Sequence, residues 1–131
     1  MTTTFKKLTP NIMVEDVNRT IEFYKNFLGF ELLVSVPEEG QFAWAMLKRD
    51  AVEMMFQSRT SLGEEIPALQ QKEIGGSLTF YIEVEDVKEL YERLNGNVTI
   101  VQDMHKTFYG ALEFAIQDCN GFILAFSETA E

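Results

Sequence analysis

The chain has 131 residues, of which 46% are hydrophobic and 24% charged, which fits one folded globular domain and is too short for two independent ones. Its 11 basic and 21 acidic side chains give a formal net charge of -10, which disfavours nucleic-acid and anionic membrane partners. With a single cysteine and no apolar stretch long enough to cross a bilayer, we expect a cytoplasmic protein without an intramolecular disulfide.

The first half of the chain predicts a strand, a helix and three more strands. Asp16 stands at the N-cap of the helix, where its carboxylate can accept from first-turn amides, and Gly29 ends it. The apolar residues at helical spacing are Ile21, Tyr24 and Leu28. Alternating apolar residues predict strands at 10–14, 30–36, 41–47 and 51–57.

The second half repeats this pattern. The tetrapeptide VEDV occurs at 14–17 and again at 84–87, an offset of 84 − 14 = 70 residues. Asp86 and Glu89 form a capping-box pattern at the start of a second helix. The apolar face of this helix comprises Val87, Leu90, Tyr91 and Leu94. Strands are predicted at 80–84, 98–102, 110–117 and 122–127, the last two joined by a turn that contains Asn120-Gly121.

These elements predict an α+β fold made of two βαβββ modules within a single domain, 1–131. The modules span 5–57 and 78–128, and the segment 58–77, which follows no strong period, is the linker between them. Because each module is too small to bury its own sheet, we expect the two to build one curved eight-stranded mixed sheet. The helices would cover its convex side and leave a hollow between the halves.

Two motifs resemble a known family. The stretch VEDVNRTIEFYKNFLGFEL at 14–32 and the stretch YGALEFAIQDCNGFILAFSE at 109–128 resemble the opening and closing motifs of the glyoxalase, bleomycin-resistance and extradiol-dioxygenase superfamily, also called vicinal oxygen chelate proteins. The resemblance implies the duplicated fold over almost the whole chain. It does not select a reaction, because the superfamily includes isomerases, oxygenases, thiol transferases and drug-binding proteins.

Enzymes of this family hold a divalent metal ion with His, Gln or Glu at four positions. The resemblance places these positions at Thr9, Glu53, Thr79 and Ala125. A lone carboxylate does not supply the three or four protein ligands that such an ion requires. We therefore predict no metal and no other cofactor, and the pattern argues against glyoxalase I activity. His105, the single histidine, is expected in a loop after the sixth strand.

Strand alternation predicts which side chains line the hollow. If Glu53 points inward, then Met54 and Phe56 face the helices, and in the second module Phe114 does the same. Small residues at Ala115 and Ala125 leave open volume. The predicted ligand-binding residues are Phe42, Trp44, Met46, Glu53, Met55, Tyr81 and Glu113, with Glu83 on the same side. The resemblance implies the hairpin geometry usual in the family, which places Phe42, Trp44 and Met46 on the side of Glu53.

Such a lining suits an aromatic or cationic small molecule, through stacking, cation–π contact and charge complementarity. We therefore predict a metal-free binding protein, similar to the bleomycin-resistance members, that sequesters or carries such a compound, and we expect a homodimer. The alternative is a lyase, isomerase or transferase. In it Glu53 or Glu113, with a pKa raised by the cavity, acts as general base, or a partner or the substrate completes a metal site. A protein-interaction module is a third possibility.

Overall fold

The computed structural model describes residues 2–129. These residues form two compact units, the first ending at Lys72 and the second beginning at Glu73. The first unit contains β1 (Asn11–Val14), α1 (Val17–Leu28), β2 (Glu31–Val36), β3 (Trp44–Arg49), β4 (Val52–Ser58), α2 (Arg59–Glu65) and a short 3₁₀ helix (Pro67–Leu69). The second contains β5 (Thr79–Glu83), α3 (Val87–Leu94), β6 (Thr99–Lys106), β7 (Ala111–Gln117) and β8 (Ile123–Thr129).

Each unit has one mixed four-stranded sheet. The strand order is β1-β4-β3-β2 in the first unit and β5-β8-β7-β6 in the second. In both sheets the first strand pairs in parallel with the last, and the remaining pairs are antiparallel. The α+β fold with two βαβββ modules is thus confirmed, and its eight strands are hydrogen-bonded as two sheets of four.

The core of the first unit lies between α1 and one side of its sheet. Tyr24, from the apolar face of α1, is fully buried, and its ring centroid lies 4.9 Å from that of Phe56 on β4. Met54, two residues away on the same side of β4, is also buried. The side of β4 that was predicted to face the helix therefore does so, and alternation turns the intervening residues to the other side of the sheet.

The core of the second unit follows the same plan. Phe114 on β7 is fully buried, and its ring centroid lies 5.1 Å from that of Tyr91 on α3 and 5.3 Å from that of Phe126 on β8. The side of β7 that carries Phe114 therefore faces the helix, as alternation predicted, and Glu113 and Ala115 point to the other side.

The two helix starts differ. Asp16 caps α1 as predicted, since its Oδ1 accepts from the backbone amide of Arg19 at 3.1 Å. The prediction of a capping box at Asp86 is wrong. The backbone of Asp86 is left-handed, with φ of 63°, and its side chain makes no capping hydrogen bond. Glu128 of β8 caps α3 instead, accepting from the amides of Asp86 and Val87 at 3.0 Å each. A partner more than forty residues away is invisible to a local motif.

The predicted linker at 58–77 holds ordered structure. The Oγ of Ser58 accepts from the amide of Ser61 at 3.2 Å and caps α2, which begins at the end of β4. Arg59 then donates to the Glu15 carboxylate at 3.0 Å and to the backbone carbonyl of Lys72 at 2.9 Å. The helix is only two turns long, too short to produce a clear apolar period. Across residues 2–129, no helix combines the length and apolar character that crossing a bilayer requires.

Candidate functional site

The side of the first sheet opposite α1 carries two rows of aligned residues, which we call the first-unit face. Strand register defines them, because residues directly opposite in neighbouring strands share a side. One row runs across β1, β4, β3 and β2 through Asn11, Met55, Met46 and Val34. The next runs through Met13, Gln57, Trp44 and Val36.

The first-unit face is largely apolar and accessible. Trp44, Met46 and Met55 are each half-buried, and Val34 and Val36 at the sheet edge are exposed. The structure thus brings together three of the predicted residues and adds two valines. Alternation alone does not find these valines, since the register shifts between Leu32 and Val34.

Phe42 lies outside these rows. It precedes β3, so strand alternation does not govern its side chain. Its backbone amide donates to the Oδ1 of Asn18 on α1 at 2.8 Å, and the residue is half-buried. Its role as a ligand contact stays a prediction.

Gln57 closes one end of the first-unit face. It is buried, and its Oε1 accepts from the Nδ2 of Asn11 at 2.8 Å. Its Nε2 donates to Ser61 Oγ and Glu65 Oε1, both at 2.9 Å, which ties α2 to this side of the sheet. The short helix in the predicted linker therefore borders the candidate site.

Glu53 lies on the same side but is already paired with cations. It accepts from Lys7 Nζ, and Lys48 Nζ lies 3.9 Å from its other oxygen. The hydrogen bond from Lys7 lowers the pKa of Glu53 below its ordinary value. The expectation of a raised pKa is therefore wrong for this residue, because the apolar strand around it does not outweigh two neighbouring lysines.

The corresponding side of the second sheet, opposite α3, is the second-unit face. Its rows hold Tyr81, Ala125, Ala115 and Gln102, and beside them Glu83, Ser127, Glu113 and His105. Two of the predicted residues meet here, since the Tyr81 hydroxyl donates to Glu113 Oε2 at 2.7 Å. The same hydroxyl lies 2.9 Å from Ser127 Oγ.

A second phenol completes this cluster. The Tyr109 hydroxyl donates to the same oxygen, Glu113 Oε2, from the loop between β6 and β7. Although removal from solvent by itself raises the pKa of Glu113, hydrogen bonds from Tyr109 and Tyr81 outweigh it and the pKa is lowered. The carboxylate raises the pKa of Tyr109 in turn, so that hydroxyl stays a donor. A raised Glu113 pKa, the basis of the general-base alternative, is therefore wrong.

The predicted loop position of His105 is wrong. The residue lies within β6 and not in a loop, directly opposite Glu113 on β7. Its Nδ1 is 2.9 Å from the backbone carbonyl oxygen of Asp103. The error arose because β6 extends to Lys106, beyond the last clearly alternating residue.

The repeat has diverged on these faces. Asn11 pairs with Met55 and Tyr81 with Ala125, and 55 − 11 = 125 − 81 = 44, so Met55 and Ala125 are equivalent. By the same register Gln57 matches Ser127, and their β3 and β7 partners, Trp44 and Glu113, match each other. At two of these positions the first-unit face has a large apolar side chain, Met55 or Trp44, where the second-unit face has Ala125 or Glu113.

The residues do not fit the metal ion of the family's enzymes. The equivalent of Ala125 is Met55, so Glu53 is not the counterpart of a second-module ligand. Glu53 is also held by lysines, which compete with a cation for its oxygens. Throughout residues 2–129, no three His, Cys, Asp or Glu side chains are grouped as ion ligands.

The sequence profile of the Glyoxalase/Bleomycin resistance protein/Dioxygenase superfamily matches residues 6–126. Since the match spans most of the chain, the chain belongs to this superfamily, which confirms the resemblance of its motifs. A comparison with curated proteins found no match.

Solved structures share the fold. A protein of unknown function from Agrobacterium tumefaciens str. C58 has a TM-score of 0.79 at 20% identity, over 98% of either chain. A glyoxalase/bleomycin resistance protein/dioxygenase from Nocardioides has a TM-score of 0.78 at 18% identity, over 99% of this chain and 87% of its own. A glyoxalase/bleomycin resistance protein/dioxygenase family enzyme from Burkholderia phytofirmans PsJN has a TM-score of 0.76 at 16% identity, over 93% of this chain and 97% of its own. At such low identity these likenesses establish the fold alone.

Proposed function

We propose that this protein is a small-molecule-binding member of the superfamily that works without a metal ion and sequesters or carries an aromatic or cationic compound, as drug-binding antibiotic-resistance proteins do. The observation that carries the proposal is the first-unit face. Its half-buried Trp44 lies in the row next to the one that holds Met46 and Met55, on the side of the sheet that α1 leaves uncovered. A single cysteine suits the reducing cytoplasm, where we place the protein.

Two kinds of attraction support this choice of ligand. Aromatic and thioether side chains adapt to flat apolar molecules, and an indole also attracts a cation by about 0.5–2 kcal/mol. On the second-unit face Glu113 is held ionised by neutral phenol donors, which leaves its negative charge in place. The protein as a whole, with a net charge of -10, also favours the approach of cations.

Tryptophan fluorescence tests the proposal directly, because Trp44 is the single tryptophan. We expect members of a panel of planar aromatic compounds, neutral and cationic, to change its emission saturably in a buffer that contains a chelator. Trp44→Phe provides the blank for inner-filter effects. A flat response across the whole panel, or saturation that appears only after a divalent metal is added, contradicts the proposal.

We also propose that the protein forms a homodimer through β2. This strand is the edge of its sheet, and its residues 31–34 and 36 are exposed, four of them large and apolar. An exposed apolar edge strand offers unpaired backbone groups to another chain. Two identical edges can pair antiparallel about a twofold axis, which makes a second copy the fitting partner.

A further inference from the structure

Glu113 is a buried carboxylate without a cationic partner in contact. The residue is 8% exposed, and the hydroxyls of Tyr81 and Tyr109 donate to its Oε2. The Ser127 side chain is also hydrogen-bonded to the carboxylate. Within residues 2–129, no lysine, arginine or histidine forms an ion pair with it. His105 lies opposite it on β6 and acts on it electrostatically without such contact. Glu53 on the first-unit face, in contrast, is paired with Lys7 and Lys48. Buried charges in folded proteins are normally paired.

The carboxylate has capacity for another donor. An ionised carboxylate accepts about four hydrogen bonds over its two oxygens. Both phenols donate to the same oxygen, Oε2. A ligand N–H can therefore bond to Glu113 without displacing Tyr81 or Tyr109.

Aromatic rings stand beside this carboxylate. Tyr109 is 53% exposed, although its hydroxyl bonds to Glu113, and Phe108 next to it is 100% exposed. The two rings are edge to face, with centroids 5.0 Å apart. Exposed aromatic faces next to an acid attract organic cations.

We infer that Glu113 is the binding site for a protonated primary or secondary amine, which donates an N–H to the carboxylate while its carbon substituents contact Tyr109 and Phe108. The inference rests on the proposed function and narrows its ligand class. A quaternary ammonium ion has the same charge but no N–H, so it makes only the electrostatic and aromatic contacts. Hydrogen bonds to charged groups are among the stronger ones in proteins.

Three matched probes test this: benzylamine, benzyltrimethylammonium and benzyl alcohol, titrated into the isotope-labelled protein and followed by NMR. We expect benzylamine to bind about tenfold more tightly than benzyltrimethylammonium, with the largest shifts around Glu113. Glu113→Gln should remove this preference. Glu89→Gln, an equal loss of charge on α3, should preserve it.

The outcomes separate the inference from the proposed function. If benzyl alcohol binds and the two cations bind with equal affinity, the amine site is wrong and the binding function stands. This comparison needs only the wild-type protein, so it does not depend on the folding of Glu113→Gln. If none of the three probes binds, both the inference and the proposed function fail.

Discussion

At the scale of single residues, the carboxylate that caps the N-terminus of α3 belongs to Glu128 and not to Asp86, which the sequence pattern had indicated. Two backbone amides converge on the Glu128 oxygens at 3.0 Å. We expect Glu128→Gln to lower the free energy of unfolding, because an amide accepts more weakly at a helix N-terminus than a carboxylate does. Asp86→Asn, the same chemical change one residue before α3, should alter it little. Urea unfolding of both variants measures the difference, and equal loss in the two contradicts the assignment.

The same contact predicts a pH dependence. Hydrogen bonds from the amides of Val87 and Asp86 lower the pKa of Glu128 below its ordinary value of 4.5. A depressed pKa means that the stabilisation is complete above pH 4.5 and disappears as the pH falls through the lowered pKa. The stability difference between wild type and Glu128→Gln should therefore shrink on acidification below pH 4.5. A difference that is constant from pH 7 to pH 3 excludes this role of the charge.

The phenol cluster makes a second prediction at this scale. Tyr81→Phe and Tyr109→Phe each remove a donor to Glu113, so each should raise the pKa of Glu113. Tyr91→Phe is the matched control, because the Tyr91 hydroxyl donates to Asp103 instead. An NMR titration of the glutamate carboxyl carbons measures all three. A rise in Tyr91→Phe as large as in Tyr109→Phe is inconsistent with the cluster.

At the scale of elements, the segment before β5 is fixed by a close backbone approach. Gly75 has φ of 95°, and a Cβ placed on it would lie 2.6 Å from the carbonyl oxygen of Asn120 in the β7–β8 turn. Gly75→Ala should therefore lower the free energy of unfolding by about 1–3 kcal/mol. A Cβ placed on the neighbouring Gly76 would have no atom within 4 Å, so Gly76→Ala should lower the free energy of unfolding much less. Thermal or urea unfolding of the two variants measures this difference. Similar stabilities of Gly75→Ala and Gly76→Ala would contradict the close approach of Gly75 to Asn120.

The edge strand β2 makes a prediction about assembly. Leu33 is 47% exposed and lies at the register shift, outside both rows of the first-unit face. Leu33→Lys should weaken the proposed dimer, because it places a charge in an apolar edge-to-edge contact. Leu78→Lys, at a residue 46% exposed in the second unit, is the control. Sedimentation velocity across a concentration series compares them, and a wild-type protein that stays monomeric throughout excludes the dimer.

At the scale of the whole molecule, the sequence predicted the elements because each repeat carries strong local signals. Asp16 caps α1, and alternation in β4 and β7 placed Phe56 and Phe114 under the helices. The helix α2 was missed because only Leu62 and Gly63 of it are buried. Local patterns lack the information for contacts between distant residues, such as the cap from Glu128.

The candidate site was predictable in part for the same reason. Alternation placed Met55 on the side of Glu53, and the hairpin geometry usual in the family placed Trp44 and Met46 there too. Tyr81 and Glu113 were likewise placed on one side, and the structure shows that they are in contact. Charge pairing was not predictable, since Lys7 reaches Glu53 from a segment without regular structure. The two carboxylates that looked alike in the sequence therefore differ, one neutralised by lysines and the other held by phenols.

The central claim, that an organic molecule binds the first-unit face without a metal, is tested most directly by NMR of the methionine methyl groups in chelator-treated protein. We expect a bound aromatic compound such as benzyl alcohol to shift the signals of Met46 and Met55 saturably. Met54, buried on the helix side of the same strand, is the internal control and should stay unchanged. Shifts that include Met54 equally, no shifts at saturating probe, or shifts that require an added divalent metal contradict the claim.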